Sequence, residues 1–129
     1  MQKLNTFIIY WFPLIVYCIF IFIQSAHPTP DLIPPRPFLD KMLHFLAYAV
    51  MGILFTRAYR TLRFKTRPHL LIVLSITSSI LYGVSDEIHQ HFIPWRQADL
   101  MDGFADALGS VFGVLLYHFI GVKNRHQTR

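Results

Sequence analysis

The feature that most narrows what this chain can fold into is a run without a single charge from Leu4 to Ile23, containing FIIYWFPLIVYCIFIFI. A helix needs about 20 mostly apolar residues to cross the hydrocarbon layer of a bilayer, and this run supplies them. Three more apolar stretches follow, at about Met42–Phe55, Leu70–Val84 and Phe104–Val122. The last spans on its own. The middle two span if their polar flanks are helical, as Phe38–Tyr59 and Leu70–His91. The predicted fold is all-α: one domain over residues 1–129, a bundle of four transmembrane helices at roughly 4–23, 38–59, 70–91 and 101–122.

Composition removes the alternatives. The chain is 53% hydrophobic and 15% charged, whereas soluble domains carry about 45–50% and about 25%. A soluble core of this size could not hide 12 Phe together with so much Ile and Leu. Disorder is excluded because it needs low hydrophobicity. A disulfide scaffold is excluded because the one cysteine, Cys18, sits inside an apolar run. A cleaved leader fits Lys3 before the run, but Gln24 and His27 interrupt any small-x-small cleavage pattern. Pro13 is tolerable in a membrane helix, where neighbours can satisfy the freed carbonyl.

Charge placement predicts the topology. Lys3, the group Arg57, Arg60, Arg63, Lys65 and Arg67, and the tail residues Lys123, Arg125 and Arg129 make nine of the 12 basic residues. The positive-inside rule places all three segments, and with them both termini, in the cytoplasm. The expected location is the cytoplasmic (inner) membrane, crossed several times. All seven acids, Asp31, Asp40, Asp86, Glu87, Asp99, Asp102 and Asp106, then fall on the outer side with Arg36, Lys41 and Arg96. The net charge of +5 is thereby divided into a basic inner face and an acidic outer one. The expected partner of the basic segments is anionic lipid rather than nucleic acid. Pro28, Pro30, Pro34, Pro35 and Pro37 make the first outer connector extended and stiff.

Three polar stripes sit at the expected outer helix ends. Asp40, His44 and Tyr48 recur every four residues, with Lys41 beside them. Asp86, His89 and Gln90 follow at i, i+3 and i+4, with Glu87 and His91 on a neighbouring face and Tyr82 one turn deeper. Asp99, Asp102 and Asp106 form the third stripe, above a small-xxx-small pair, Gly109 and Gly113. Plainer readings exist for several: Asp40 as a helix-start acid, Lys41 snorkelling, Tyr48 in an aromatic belt, and Asp99 and Asp102 serving the helix dipole. An ionisable side chain within a span is costly and is expected to face the bundle interior and a partner. Convergence of the three stripes would make a polar pocket open to the outside. Its candidate acid–base groups are Asp86, Glu87, His44 and His89. Its candidate ligand-binding groups are Asp40, Lys41, Tyr48, Gln90, Arg96, Asp102 and Asp106. Asp, Glu and His suit zinc or manganese, but no HExxH or paired CxxC spacing is present, so no metal or other cofactor is assigned.

The runs DKMLHFLAYAVMG and SDEIHQHFIPWRQADLMDGFADALGSVFG resemble the VanZ-like family of small membrane proteins. The match rests on Asp40, Lys41, His44, Phe45 and Tyr48, then on Asp86, Glu87, Gln90, Phe92, Pro94, Arg96, Asp102, Gly109 and Gly113. Two positions depart from the family pattern: Trp95, commonly Gly, and Asp106, commonly Asn. The resemblance implies a multi-helix membrane protein of a family named for a member associated with low-level teicoplanin resistance. It implies no settled reaction. Two functional expectations follow. The first is a cell-envelope protein binding an anionic or amphiphilic envelope molecule, such as a lipid headgroup or lipoglycopeptide, with a link to glycopeptide resistance. The alternative is a membrane-embedded hydrolase or transferase on a lipid-linked substrate. There Asp86 or Glu87 would be acid or base, His44 or His89 proton carrier, and Lys41 with Arg96 anion holders. A transporter is disfavoured, since four short helices show no inverted repeat.

Overall fold

The structure is a computed structural model that describes residues 1–28, 36–62 and 66–127. The proline-rich connector at 29–35, with Asp31, and the basic residues Arg63, Lys65 and Arg129 lie outside the described residues. Among the described residues four helices make the fold: α1 (Gln2–Ala26), α2 (Pro37–Tyr59), α3 (Pro68–His91) and α4 (Leu100–Gln127). No strand occurs among the described residues. Each helix contains 22 or more residues apolar enough to cross a membrane, about 33 Å at 1.5 Å per residue. The helices run a few residues beyond the expected bounds, most of all α4, where polar helix-competent residues continue the last span to Gln127.

Local chemistry places the ends. Pro37 and Pro68 open α2 and α3, positions where the missing N–H costs nothing and the fixed φ already suits a helix. Asp99 closes the first turn of α4: its side chain accepts the Met101 N–H at 2.9 Å, and its carbonyl accepts those of Asp102 and Gly103. In α1 the turn Phe7–Trp11 widens to a π-helix just before Pro13. Proline cannot donate to the carbonyl one turn back and its ring crowds that carbonyl, so a local bulge absorbs the mismatch.

The helices alternate in direction, and α2 and α4 are the most closely packed pair. The reason is glycine. A Cβ at Gly109 would strike the Phe45 carbonyl, and one at Gly113 the Ala49 carbonyl. From the other side, a Cβ at Gly52 would lie 2.6 Å from the Ser110 carbonyl oxygen. Backbone thus meets backbone along the seam, the small-residue contact expected of this pair. α3 covers the seam through Ser79, whose hydroxyl bonds that of Ser110 at 2.7 Å. α1 lies against α2 and α3, held by Tyr17 donating to the Ala47 carbonyl and Tyr82 donating to that of Cys18. Only 11% of its most apolar window is buried. Phe12, Ile19, Phe20 and Ile23 face outward, where lipid must cover them.

Candidate functional site

The order of the helices brings the ends of α1 and α3 together with the starts of α2 and α4. Lys41, in the first turns of α2, donates to Asp99 Oδ2 and to Asp102 Oδ1, both at 2.8 Å. One turn further in, His44 Nδ1 lies 2.9 Å from Asp106 Oδ1, and its Nε2 lies 3.7 Å from Asp102 Oδ2. A further turn in, Tyr48 is 2% exposed. The expected stripe therefore faces α4, and Tyr48 points into the bundle rather than to an aromatic belt. The α4 stripe answers it: Asp102 is buried and Asp106 is 1% exposed.

α3 supplies the third wall. Gly83 has no side chain where Tyr48 and Asp106 approach. A Cβ there would lie 3.1 Å from the Tyr48 ring and 3.3 Å from Asp106 Cβ. One turn later Asp86 and Gln90 are buried and bonded to each other, Gln90 Nε2 donating to Asp86 Oδ2 at 3.2 Å. Arg96, on the loop, donates to Gln90 Oε1 at 3.3 Å. Glu87 is half-buried and accepts the Asp99 N–H through Oε2 at 3.2 Å. Ten of the eleven candidate residues thus lie at one end of the bundle around α2, α3 and α4, with Asp40 at the exposed rim.

His89 lies apart. Its ring stacks on Phe22 at 4.4 Å between centroids, and its Nδ1 is 3.4 Å from the Ser25 hydroxyl. It faces α1, as Tyr82 does. Two further residues belong to the site. Asp99, the outermost acid of the third stripe, is the ion partner of Lys41 and the backbone partner of Glu87. That ammonium, with the Met101 N–H, holds the Asp99 carboxyl below its usual range. Gly83, the second, sits on the same face as Glu87, one turn earlier.

The electrostatics are lopsided. Among the described residues, four buried oxygens have no hydrogen-bond partner: Tyr48 Oη, Asp86 Oδ1, Glu87 Oε1 and Asp106 Oδ2. A buried polar group without a partner costs about 1–3 kcal/mol, more when charged. Four such oxygens at one site, on three helices, leave it rich in acceptors and short of donors. Two triplets bring one possible ligand atom from each residue within 4.8 Å of the others: Asp40, His44 and Asp102, and His44, Glu87 and Asp106.

A family profile described as VanZ/LLP1 matches residues 5–121, nearly the whole chain. The chain belongs to the VanZ/LLP1 family. It is thus a multi-pass membrane protein of VanZ/LLP1 type, and the matched segment takes in all four helices with the polar end of the bundle. No curated protein and no solved structure matches it.

Proposed function

We propose that this VanZ/LLP1 protein is a cell-envelope protein whose polar end binds the headgroup of an amphiphilic envelope molecule. The observation that carries the reading is the set of four unpartnered buried oxygens contributed by three helices. Such oxygens ask for hydroxyl or ammonium donors, or for a cation. A bare anion would meet Asp86, Glu87 and Asp106, so the amphiphilic half of the expectation is the better supported. Arg96 at the rim then holds the anionic part of a mixed headgroup such as a phospholipid's or a lipoglycopeptide's, Lys41 serves it only by leaving Asp99 or Asp102, and the acyl chain runs along the exposed apolar helix faces. A link to glycopeptide resistance fits a protein that occupies such molecules. The basic residues of the opposite end favour an outward-facing site in the cytoplasmic membrane. Alkaline phosphatase fused after Trp95 is expected to be active and after Arg67 inactive.

Native mass spectrometry tests the binding. Protein released from nanodiscs of envelope lipid should retain one lipid-sized adduct. Asp86→Asn combined with Glu87→Gln should lose it. Equal retention in both would end the reading. The His44–Asp106 pair beside Glu87 favours one further possibility, acid–base chemistry on a lipid-linked substrate. In that case His44→Gln and Glu87→Gln keep the adduct, and the bound molecule differs in mass from that on the wild type.

A further inference from the structure

We infer that His44, Glu87 and Asp106 form the protein half of a divalent-metal site. The inference needs no lipid and stands apart from the headgroup reading. Three side chains from three helices point their ligand atoms at one spot, all within 4.8 Å of one another. This is more than a cluster of acids. One member is an imidazole, and Asp106, 1% exposed, keeps Oδ2 unpartnered beside the unpartnered Glu87 Oε1.

The charge argument points the same way. Two carboxylates held together at low dielectric repel one another strongly. The nearby ammonium of Lys41 is engaged by Asp99 and Asp102. A bridging water would satisfy lone pairs and leave the repulsion, which His44, 2.9 Å from Asp106, offsets by one charge when protonated; a dication offsets two and satisfies the lone pairs as well. A neutral imidazole with two carboxylates cancels a charge of two. Bond lengths of about 2.0–2.2 Å place ligand atoms roughly 3–3.5 Å apart, so ligand atoms now within 4.8 Å of one another need a small inward movement to close the site.

The donor set names the class of ion. A borderline imidazole nitrogen with two hard carboxylate oxygens suits zinc, with manganese weaker by the usual order of affinities. Three protein ligands leave a position open for water or for a headgroup oxygen, as in reactive rather than purely structural zinc sites. Were Nδ1, now 2.9 Å from Asp106 Oδ1, to take the ion, Nε2 would face Asp102 Oδ2, now 3.7 Å away. A carboxylate behind a ligating histidine fixes the ring and raises its basicity. Asp102 is in turn held by Lys41, so the rim ion pair becomes the support of the metal ligand.

The experiment uses the full chain in detergent, stripped with a chelator and titrated with Co2+ by visible absorption and with Zn2+ by calorimetry, without added lipid. One ion should bind per chain. Glu87→Gln and Asp106→Asn should each weaken binding at least about tenfold. His69→Ala, exposed at the opposite end, should leave it unchanged. His44→Cys should keep one Co2+ and gain a thiolate charge-transfer band that the wild type lacks, which guards against loss of fold in the other variants. No saturable binding by the wild type, equal affinity in the carboxylate variants, or a His44→Cys cobalt complex without the thiolate band would overturn the inference. A wild type that binds the ion but retains no lipid would overturn the headgroup reading alone.

Discussion

At one end of the bundle Arg57 lies over the ring of Tyr10 and Arg60 over that of Tyr117, 5.3 and 5.6 Å from the centroids, and the Trp11 indole donates to Thr61. Those charges remain near the surface, each resting on a neighbour. At the other end Asp86, Asp102 and Asp106 are buried, His44 is nearly so, and four oxygens lack partners. Both ends carry ionisable groups on helix termini. The difference is the glycine seam: Gly109 and Gly113 draw α4 onto α2, and Gly83 lets α3 close over Tyr48 and Asp106. Charge at the arginine end rests on aromatic rings near the surface, whereas charge at the aspartate end is buried between helices.

The largest effect should come from breaking the seam itself. Gly113→Ala puts a methyl group onto the Ala49 carbonyl. The obstacle is backbone, so the cost should exceed about 3 kcal/mol, the upper range for overpacked side chains. Thermal unfolding in detergent should show it, with loss of lipid and metal binding together. Next in size, Glu87→Gln should raise the stability of the ligand-free protein by about 1 kcal/mol while abolishing binding, because an amide can donate where the carboxylate could not. A loss of stability there would mean that the aspartate end is not poised for a ligand. At the arginine end, Arg57→Ala and Arg60→Ala should each cost about 0.5–1 kcal/mol and leave binding intact.

The smallest effect concerns Asp99. Its carboxyl is held below the usual range by Lys41, so its stabilising contribution is full above the pKa of the unfolded chain. That contribution is lost as pH falls through the lower folded value. Asp99→Asn should therefore be slightly less stable than wild type near neutrality, and the two melting curves should merge in acid. A difference that persists at low pH would contradict the ion pair.

Much of this was legible in the residues. Apolar length predicts four helices, and an i, i+4, i+8 spacing predicts that Asp40, His44 and Tyr48 share a face. What spacing cannot tell is which neighbour a face meets. On α3, Gln90 is rotated by about 40° from Asp86 in one direction and His89 by about 60° in the other. That small divergence sends Gln90 into the site and His89, in line with Tyr82 seven residues earlier, onto α1. The role of Asp99 was half legible. An acid before a helix reads as a cap, and only the fold brings Lys41 to it. Gly83 leaves no sign in a hydropathy pattern, because its contribution is the absence of a side chain.

The central claim is that side chains from different helices meet and interact at the aspartate end. A double-mutant cycle across His44 and Asp106, which are 2.9 Å apart, tests it most directly. With His44→Ala, Asp106→Ala and the double variant unfolded in the same detergent, the account predicts a coupling of about 1.5 kcal/mol or more, as for hydrogen bonds to charged groups. Effects that add to within about 0.5 kcal/mol, the behaviour of distant sites, would contradict it.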